Sequence, residues 1–269
     1  MQFLILGCGK IGIDLYIKLK KLNLPLKIII FNKNKKSAGA QYCQKNFFNY
    51  SSGGVKDLSN YLNSSNNVIF DATSASASLL NFKFLEKRLK NNFYINLTPS
   101  PVGKYFIPYF KNAKIPRIIN MITCGGQSSI PVIIEMKKRN KFINYVELVS
   151  SISSQSAGRA TRQNINEYIV NTNKAIKKLS KIKKSKVIIN LNPANPPVNM
   201  MNSIFFECKK IDKKKIKLAK ISLQLVNKTI KNYIPGYNGR LFYQNGEDFF
   251  RVTVRVVGSG DYLSTFPVI

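Results

Sequence analysis

A cysteine followed directly by two glycines carries the first chemical content in this chain. Cys124 lies in Met121-Ile122-Thr123-Cys124-Gly125-Gly126-Gln127, where a β-type run ends and a helical stretch follows. A thiol at a helix N-terminus has its thiolate stabilised by the dipole and by nearby N–H donors, and the same donors can hold an oxyanion formed on a substrate. Cys124 is therefore a candidate covalent nucleophile. The other cysteines, Cys8, Cys43 and Cys208, fall inside or beside apolar segments and read as core residues.

A second motif, Gly7-Cys8-Gly9-Lys10-Ile11-Gly12, fits G-x-G-x-x-G and sits directly after a strand-like run and at the opening of a helix. In that context the first glycine makes the turn, the second lets backbone approach a pyrophosphate, and the third lets helix pack on strand. The pyrophosphate would rest at the helix N-terminus, where unpaired N–H groups favour negative charge. Gly7, Cys8, Gly9, Lys10, Ile11 and Gly12 are thus expected to bind a dinucleotide, with Cys8 lining the loop. The acid that would hydrogen-bond the adenosine ribose is replaced by Asn32, followed by Lys33, Lys35 and Lys36. An amide still bonds a ribose hydroxyl, so NAD is expected, with NADP open because no carboxylate repels a 2′-phosphate.

What is missing narrows the chemistry further. With no histidine among 269 residues, Ser-His-Asp hydrolysis, Cys-His proteolysis and histidine-ligated zinc are excluded. The cysteines form no C-x-x-C, so no metal site is expected, and their spacing suits a reducing compartment. The run Phe3 to Leu6 breaks at Gly7 without a basic region ahead of it, unlike a signal peptide. No apolar stretch reaches the roughly 18 residues that span a bilayer. A cytoplasmic protein without membrane contact is expected.

The chain carries 43 Lys plus Arg against 12 Asp plus Glu, a formal net charge of +31. A nucleic-acid footprint is one reading. The lysines are scattered, however, and accompany abundant Asn, Ile, Phe and Tyr, which fits a biased genome filling solvated faces; nucleic acid is not the expected partner. A hydrophobic fraction of 44% suffices for a real core.

These residues need a scaffold, and the periodicity supplies one. Strand-like runs at 2–6, 26–31, 68–70, 93–95 and 117–122 alternate with helical stretches such as 14–22 and 76–90, which implies a Rossmann-type parallel sheet with helices on both faces. After Cys124 the order changes: a helix over about 128–139, a long strand over 145–153, a helix over about 162–179, strands near 186–190 and 203–209, a helix over 213–231, and strand runs around Leu241 and over 249–257. The fold class is α/β, with an α+β second domain built on a mostly antiparallel sheet. The expected divisions are 1–125 for dinucleotide binding, 126–257 for catalysis and dimerisation, and 258–269 returning toward the cofactor domain.

Several runs carry a family likeness. They are Met121 to Pro131, Ser151-Ile152-Ser153-Ser154-Gln155-Ser156-Ala157-Gly158 through Thr161-Arg162, Asn192-Pro193-Ala194-Asn195-Pro196-Pro197, Tyr233-Ile234-Pro235-Gly236-Tyr237, Phe70-Asp71-Ala72-Thr73-Ser74-Ala75 and Asn96-Leu97-Thr98-Pro99. Together they resemble the acylating acetaldehyde dehydrogenases, from the N-terminus to Gly260-Asp261-Tyr262-Leu263. The resemblance implies that an aldehyde, coenzyme A and NAD give an acyl-CoA and NADH. It makes Cys124 the acyl-thioester nucleophile and brings Ser156, Ala157, Gly158, Arg159, Ala160, Thr161, Arg162 and Gln163 to the cofactor. It also implies a homodimer through the catalytic domain and a 4-hydroxy-2-oxovalerate aldolase partner that hands over acetaldehyde.

The chain departs from the family's pattern in three places. Met200-Met201-Asn202 stands where the family has an aspartate that assists the thiol, and Asn is no base at pH 7. Gly158-Arg159-Ala160 stands for Gly-Pro-Gly, which implies bulk and charge beside the cofactor. The sequence ends at Ile269, where the family continues through a cofactor-contacting Asn and a closing helix. The other readings are a semialdehyde dehydrogenase or acyl-phosphate reductase, which would pair the cysteine with a histidine, and a degenerate cofactor-binding subunit supporting an aldolase.

Overall fold

The computed structural model describes residues 1–62, 66–110 and 114–265, and for Arg159 and Ala160 the backbone alone. In chain order the elements of the first half are β1 Gln2–Leu6, α1 Lys10–Lys21, β2 Lys27–Phe31, α2 Ala38–Lys45, β3 Tyr50–Ser51, α3 Val55–Ser59, β4 Val68–Asp71, α4 Ala75–Leu85, β5 Phe93–Asn96, β6 Lys104–Tyr105 and β7 Ile118–Asn120. The strands form one sheet in the order β3-β2-β1-β4-β5-β7-β6, with every pairing parallel.

Continuous apolar runs make sense for such strands because both faces are covered. Leu4 and Leu6 pack with Ile29, Phe31 and Leu58 on one face. Ile5 turns the other way, to Ile28, Ile30, Ile13 of α1 and Cys43 of α2. The two-residue period thus sorts one apolar run into two cores. Strand order reverses between β2 and β4 around β1, which opens a crevice beyond the carboxyl ends of β1 and β4.

The second half contributes α5 Cys124–Arg139, β8 Tyr145–Ser153, α6 Arg159–Gln163, α7 Ile165–Ser180, β9 Lys184–Asn192, β10 Met200–Glu207, α8 Lys213–Lys231, β11 Tyr237–Phe242 and β12 Phe249–Val256. Its sheet runs β11-β12-β10-β8-β9, antiparallel except for the parallel β8–β9 pair. Val146, Leu148, Ile204, Phe206, Val252 and Val254 face a core shared with residues of α5, α7 and α8. The alternate residues, among them Met201, Phe205 and Arg255, lie on the opposite, less buried face.

Two of the boundaries that differ from the sequence reading bear on the site. The helix expected from Ser128 begins at Cys124, because Thr123 caps it by accepting the Gly126 N–H at 3.0 Å and so draws the two glycines into the first turn. The single helix expected over 162–179 is two, α6 and α7, parted at Asn164.

Candidate active site

The turn after β1 is shaped by its glycines. Gly7 holds φ at +95°, a region that L side chains rarely adopt, and a Cβ there would lie 2.8 Å from the Ala72 carbonyl oxygen. A Cβ on Gly12 would lie 2.0 Å from the Gly7 oxygen, so α1 can close on β1 only without one. At Gly9 a Cβ would meet nothing within 4 Å. Gly9 is also the N-cap of α1 and provides no side-chain cap, and the first turn holds no acidic residue. The start of α1 thus has no side-chain cap and no acidic residue in its first turn, and it borders open space at Gly9, an environment that fits a phosphate-bearing ligand.

The neighbouring strand end is fixed by Asp71. Its buried carboxylate accepts the Thr73 N–H at 3.0 Å, the Tyr94 hydroxyl at 2.5 Å and the Asn81 amide at 3.1 Å. These bonds set the 71–74 turn, which forms one wall of the crevice.

The thiol sits across that crevice. Ile122, fully buried, adopts φ of +65° and reverses the chain after β7. A β-branched residue is strained in that region. The reversal is held by Asn120 Oδ1, which accepts the Ile122 N–H at 2.7 Å, and by Asn171 Nδ2, which donates to the Ile122 carbonyl at 3.1 Å. Thr123 then bonds Thr172 at 2.7 Å. Through these contacts β7 and α7 together position the first residue of α5, Cys124.

Around Cys124 the helix end offers fewer free donors than the sequence reading anticipated. The Gly126 N–H goes to Thr123, and the Gly125 N–H donates to the Tyr168 hydroxyl at 3.0 Å. Tyr168 Oη also lies 3.9 Å from Cys124 Sγ. Burial pushes the thiol upward, opposed by the Tyr168 hydroxyl and by the Gly125 and Cys124 N–H groups. Desolvation thus opposes the help that the helix end gives the thiolate.

Asn202 lies behind the helix. Fully buried, it donates to Ser128 Oγ at 2.8 Å, and Ser128 Oγ in turn donates to the Cys124 carbonyl at 3.0 Å. The residue at the expected aspartate position therefore braces the backbone of α5.

Both halves open on a single cavity of about 700 Å³, lined on one side by the Gly7–Ile11 loop and on the other by Cys124 and Tyr168. Gly7, Cys8, Gly9, Lys10, Ile11, Asn32, Ser156, Gly158, Thr161 and Gln163 line it together with Cys124. Gly12 is packed beneath the loop. Ala157 turns into the core of the second sheet, and Arg162 donates to Ser154 Oγ at 2.7 Å and to the Ser154 carbonyl, away from the cavity. The side chains of Arg159 and Ala160 lie outside the described residues. Asn32 donates to the Asn34 carbonyl at 2.9 Å and to Ser37 Oγ at 3.1 Å, so its amide group already organises the loop after β2.

Among the lining residues that sequence reasoning did not single out are Tyr168, Asn164 and Tyr262. Tyr168 reads as one more aromatic on the apolar stripe of a helix. Asn164 accepts the Ala75 N–H at 3.3 Å and joins the halves. Tyr262 lines the cavity because Asp14, buried on α1, accepts the N–H groups of Tyr262 and Leu263 at 2.7 and 3.2 Å and draws the C-terminal segment onto the first sheet's side. Among the described residues no cluster of His, Cys, Asp and Glu could hold a metal ion, and no helix is long and apolar enough to cross a membrane.

Residues 124–264 match the family model described as prokaryotic acetaldehyde dehydrogenase, dimerisation. The chain is 37% identical over 97% of its length, and 88% of the relative's, to an acetaldehyde dehydrogenase of Pectobacterium atrosepticum. The chain belongs to the acetaldehyde dehydrogenase family. A second member, from Geobacillus thermodenitrificans, is 35% identical over 97% of this chain and 88% of its own. As a family member the protein is an oxidoreductase. Among solved structures, aspartate semialdehyde dehydrogenase II from Vibrio cholerae superposes with a TM-score of 0.61 over 98% of this chain and 94% of that one, at 10% identity. The aspartate semialdehyde dehydrogenase of Francisella tularensis superposes with a TM-score of 0.56 over 98% and 96%, also at 10% identity. These two likenesses establish the two-sheet fold alone.

Proposed function

We propose that this family member oxidises a short aldehyde, acetaldehyde being the one its relatives are named for, and passes the acyl group to coenzyme A. The observation that carries the reading is that Cys124 and the Gly7–Ile11 loop line the same cavity. The residues that would hold NAD are the Gly7–Ile11 loop at the N-terminus of α1, for its pyrophosphate, with Asn32, Ser156, Gly158, Thr161 and Gln163 on the same cavity. Bound there, it supplies the hydride acceptor.

The chain's own part is covalent catalysis by sulfur. Cys124 loses its proton to solvent and its thiolate attacks the carbonyl carbon; the C–S bond forms as the π pair moves to oxygen. The Cys124 N–H and the Tyr168 hydroxyl are the donors on hand for that oxygen. Once a hydride has left the same carbon, the carbonyl re-forms and a thioester remains on Cys124. The coenzyme A thiol then attacks the thioester, the acyl–S bond to Cys124 breaks, and the cysteine is regenerated. Lys10 and Lys33 on the cavity wall supply cationic groups for phosphates.

The dimerisation-domain match supports a homodimer. The less buried face of the second sheet, with Met201 44% and Phe249 57% exposed, is the surface on which a second copy would pack. A 4-hydroxy-2-oxovalerate aldolase is the proposed source of the aldehyde, and the cytoplasm is the proposed compartment.

The test is spectrophotometric. NADH formation from acetaldehyde should require coenzyme A for turnover and disappear in Cys124→Ser. Turnover at an undiminished rate in that variant overturns the reading.

A further inference from the structure

The residue that sits closest in function to the thiol is one that neither glycine motif announces. We propose that Tyr168 is a catalytic hydrogen-bond donor, whose hydroxyl, seated on the Gly125 N–H, directs its proton at Cys124 Sγ and stabilises the thiolate. The inference rests on the reading of Cys124 as the nucleophile and supplies what assists it.

Three observations converge. Tyr168 Oη accepts the Gly125 N–H at 3.0 Å, which occupies a lone pair and leaves the proton to be placed elsewhere; Cys124 Sγ, at 3.9 Å, is an acceptor for it. The hydroxyl thus carries the positive end of α5 one group further into the cavity, and an O–H polarised by an N–H behind it is a stronger donor. Second, Gly125 is a glycine for this contact: a Cβ there would lie 2.1 Å from Tyr168 Oη and 2.4 Å from Ser150 Oγ. Third, Asn202, at the position where an acid was expected, is spent on Ser128, behind the helix.

A base is not what Tyr168 provides. Burial and the neighbouring Cys124 hold its phenol well above 10, so it stays protonated across the working range. It lowers the cost of the thiolate, and the thiol proton leaves to solvent. Among the described residues, the other titratable or charged groups on the cavity are Cys8 and Lys10 at the α1 end, Lys33 after β2 and Tyr262 in the C-terminal segment. Glu135 and the basic residues Lys137, Lys138 and Arg139 lie in later turns of α5, and β8 and β10 present the neutral Ser150 and Asn202 behind it.

The test is the pH profile of Cys124 alkylation by iodoacetamide, followed by mass spectrometry of the Cys124 peptide, in wild type, in Tyr168→Phe and with 3,5-difluorotyrosine at position 168. Loss of the hydroxyl should raise the midpoint by about one pH unit. Below the midpoint the rate should fall only about threefold, since the scarcer thiolate is more nucleophilic. The fluorinated phenol, a stronger donor of the same shape, should move the midpoint down, and kcat should fall in Tyr168→Phe with KM unchanged. Midpoints unchanged in both variants overturn the role of Tyr168 and leave Cys124 as nucleophile. A wild-type Cys124 that resists alkylation at every pH overturns the nucleophile itself.

Discussion

The Ile122 N–H donates to Asn120 Oδ1 at 2.7 Å, and this bond holds a fully buried, β-branched residue at φ of +65° two residues before Cys124. The same Asn120 donates to the Ser100 carbonyl at 2.7 Å. Asn120→Ala removes both bonds: the buried Ile122 N–H loses its acceptor, while the Ser100 carbonyl keeps the Asn96 amide at 3.1 Å. Stability should fall by about 1 to 3 kcal/mol. The drop should be read as a shift in the urea midpoint at constant slope, with kcat falling alongside as the turn relaxes.

The glycines of the first loop should separate folding from binding. Gly9 has room for a methyl group and an ordinary backbone conformation, so Gly9→Ala should melt like the wild type. The methyl would stand where a pyrophosphate should rest, and the dissociation constant for NAD should rise at least roughly tenfold, measured by quenching of intrinsic tyrosine fluorescence. Gly12→Ala forces a Cβ to within 2.0 Å of the Gly7 oxygen and should lower the melting temperature as well.

Asp14 ties the C-terminal segment to α1 through the N–H groups of Tyr262 and Leu263. In Asp14→Ala those amides lose their side-chain acceptor, and their hydrogen exchange should quicken roughly ten- to hundredfold while the β1 and β2 amides keep their rates. Unchanged protection at 262 and 263 would show that other contacts hold the segment.

Alkaline pH should unfold the protein through its buried phenols. Burial raises Tyr94, Tyr168 and Tyr237 above their ordinary value of 10, with Asp71 adding to the shift at Tyr94. Above pH 10 the unfolded chain releases these protons and the folded one retains them, so the stability they confer is full below 10 and is lost as pH rises past it. The three together give a slope of roughly 4 kcal/mol per pH unit. Absorbance at 295 nm should show these tyrosinates appearing only with the unfolding transition.

Much of this was legible in the chain, for physical reasons. Strands buried on both faces must be apolar throughout, so β1 and β2 stand out; β8, buried on one face, is read in full over 145–153. The Gly7–Gly12 loop is legible because its requirements are steric and local. The start of α5 is not: Gly-Gly reads as a loop, and the Thr123 cap works only once Ile122 has reversed the chain. Arg162 and Ala157 belong to a run that meets the cavity, yet a helical turn sends them away from it while Thr161 and Gln163 face in. Asp14 looks like half of an exposed pair with Lys18 until the segment around Tyr262 returns to it. Tyr168 gives no signal at all, because its role depends on a contact with Gly125 across 43 residues.

The covalent step can be observed directly. Incubated with acetaldehyde and NAD but without coenzyme A, then quenched in acid and digested, the protein should carry one acetyl group on the peptide containing Cys124, released when coenzyme A is added before the quench. An unmodified Cys124 peptide from protein that forms NADH in a single turnover, or an acetyl group on Cys8 instead, would contradict the account.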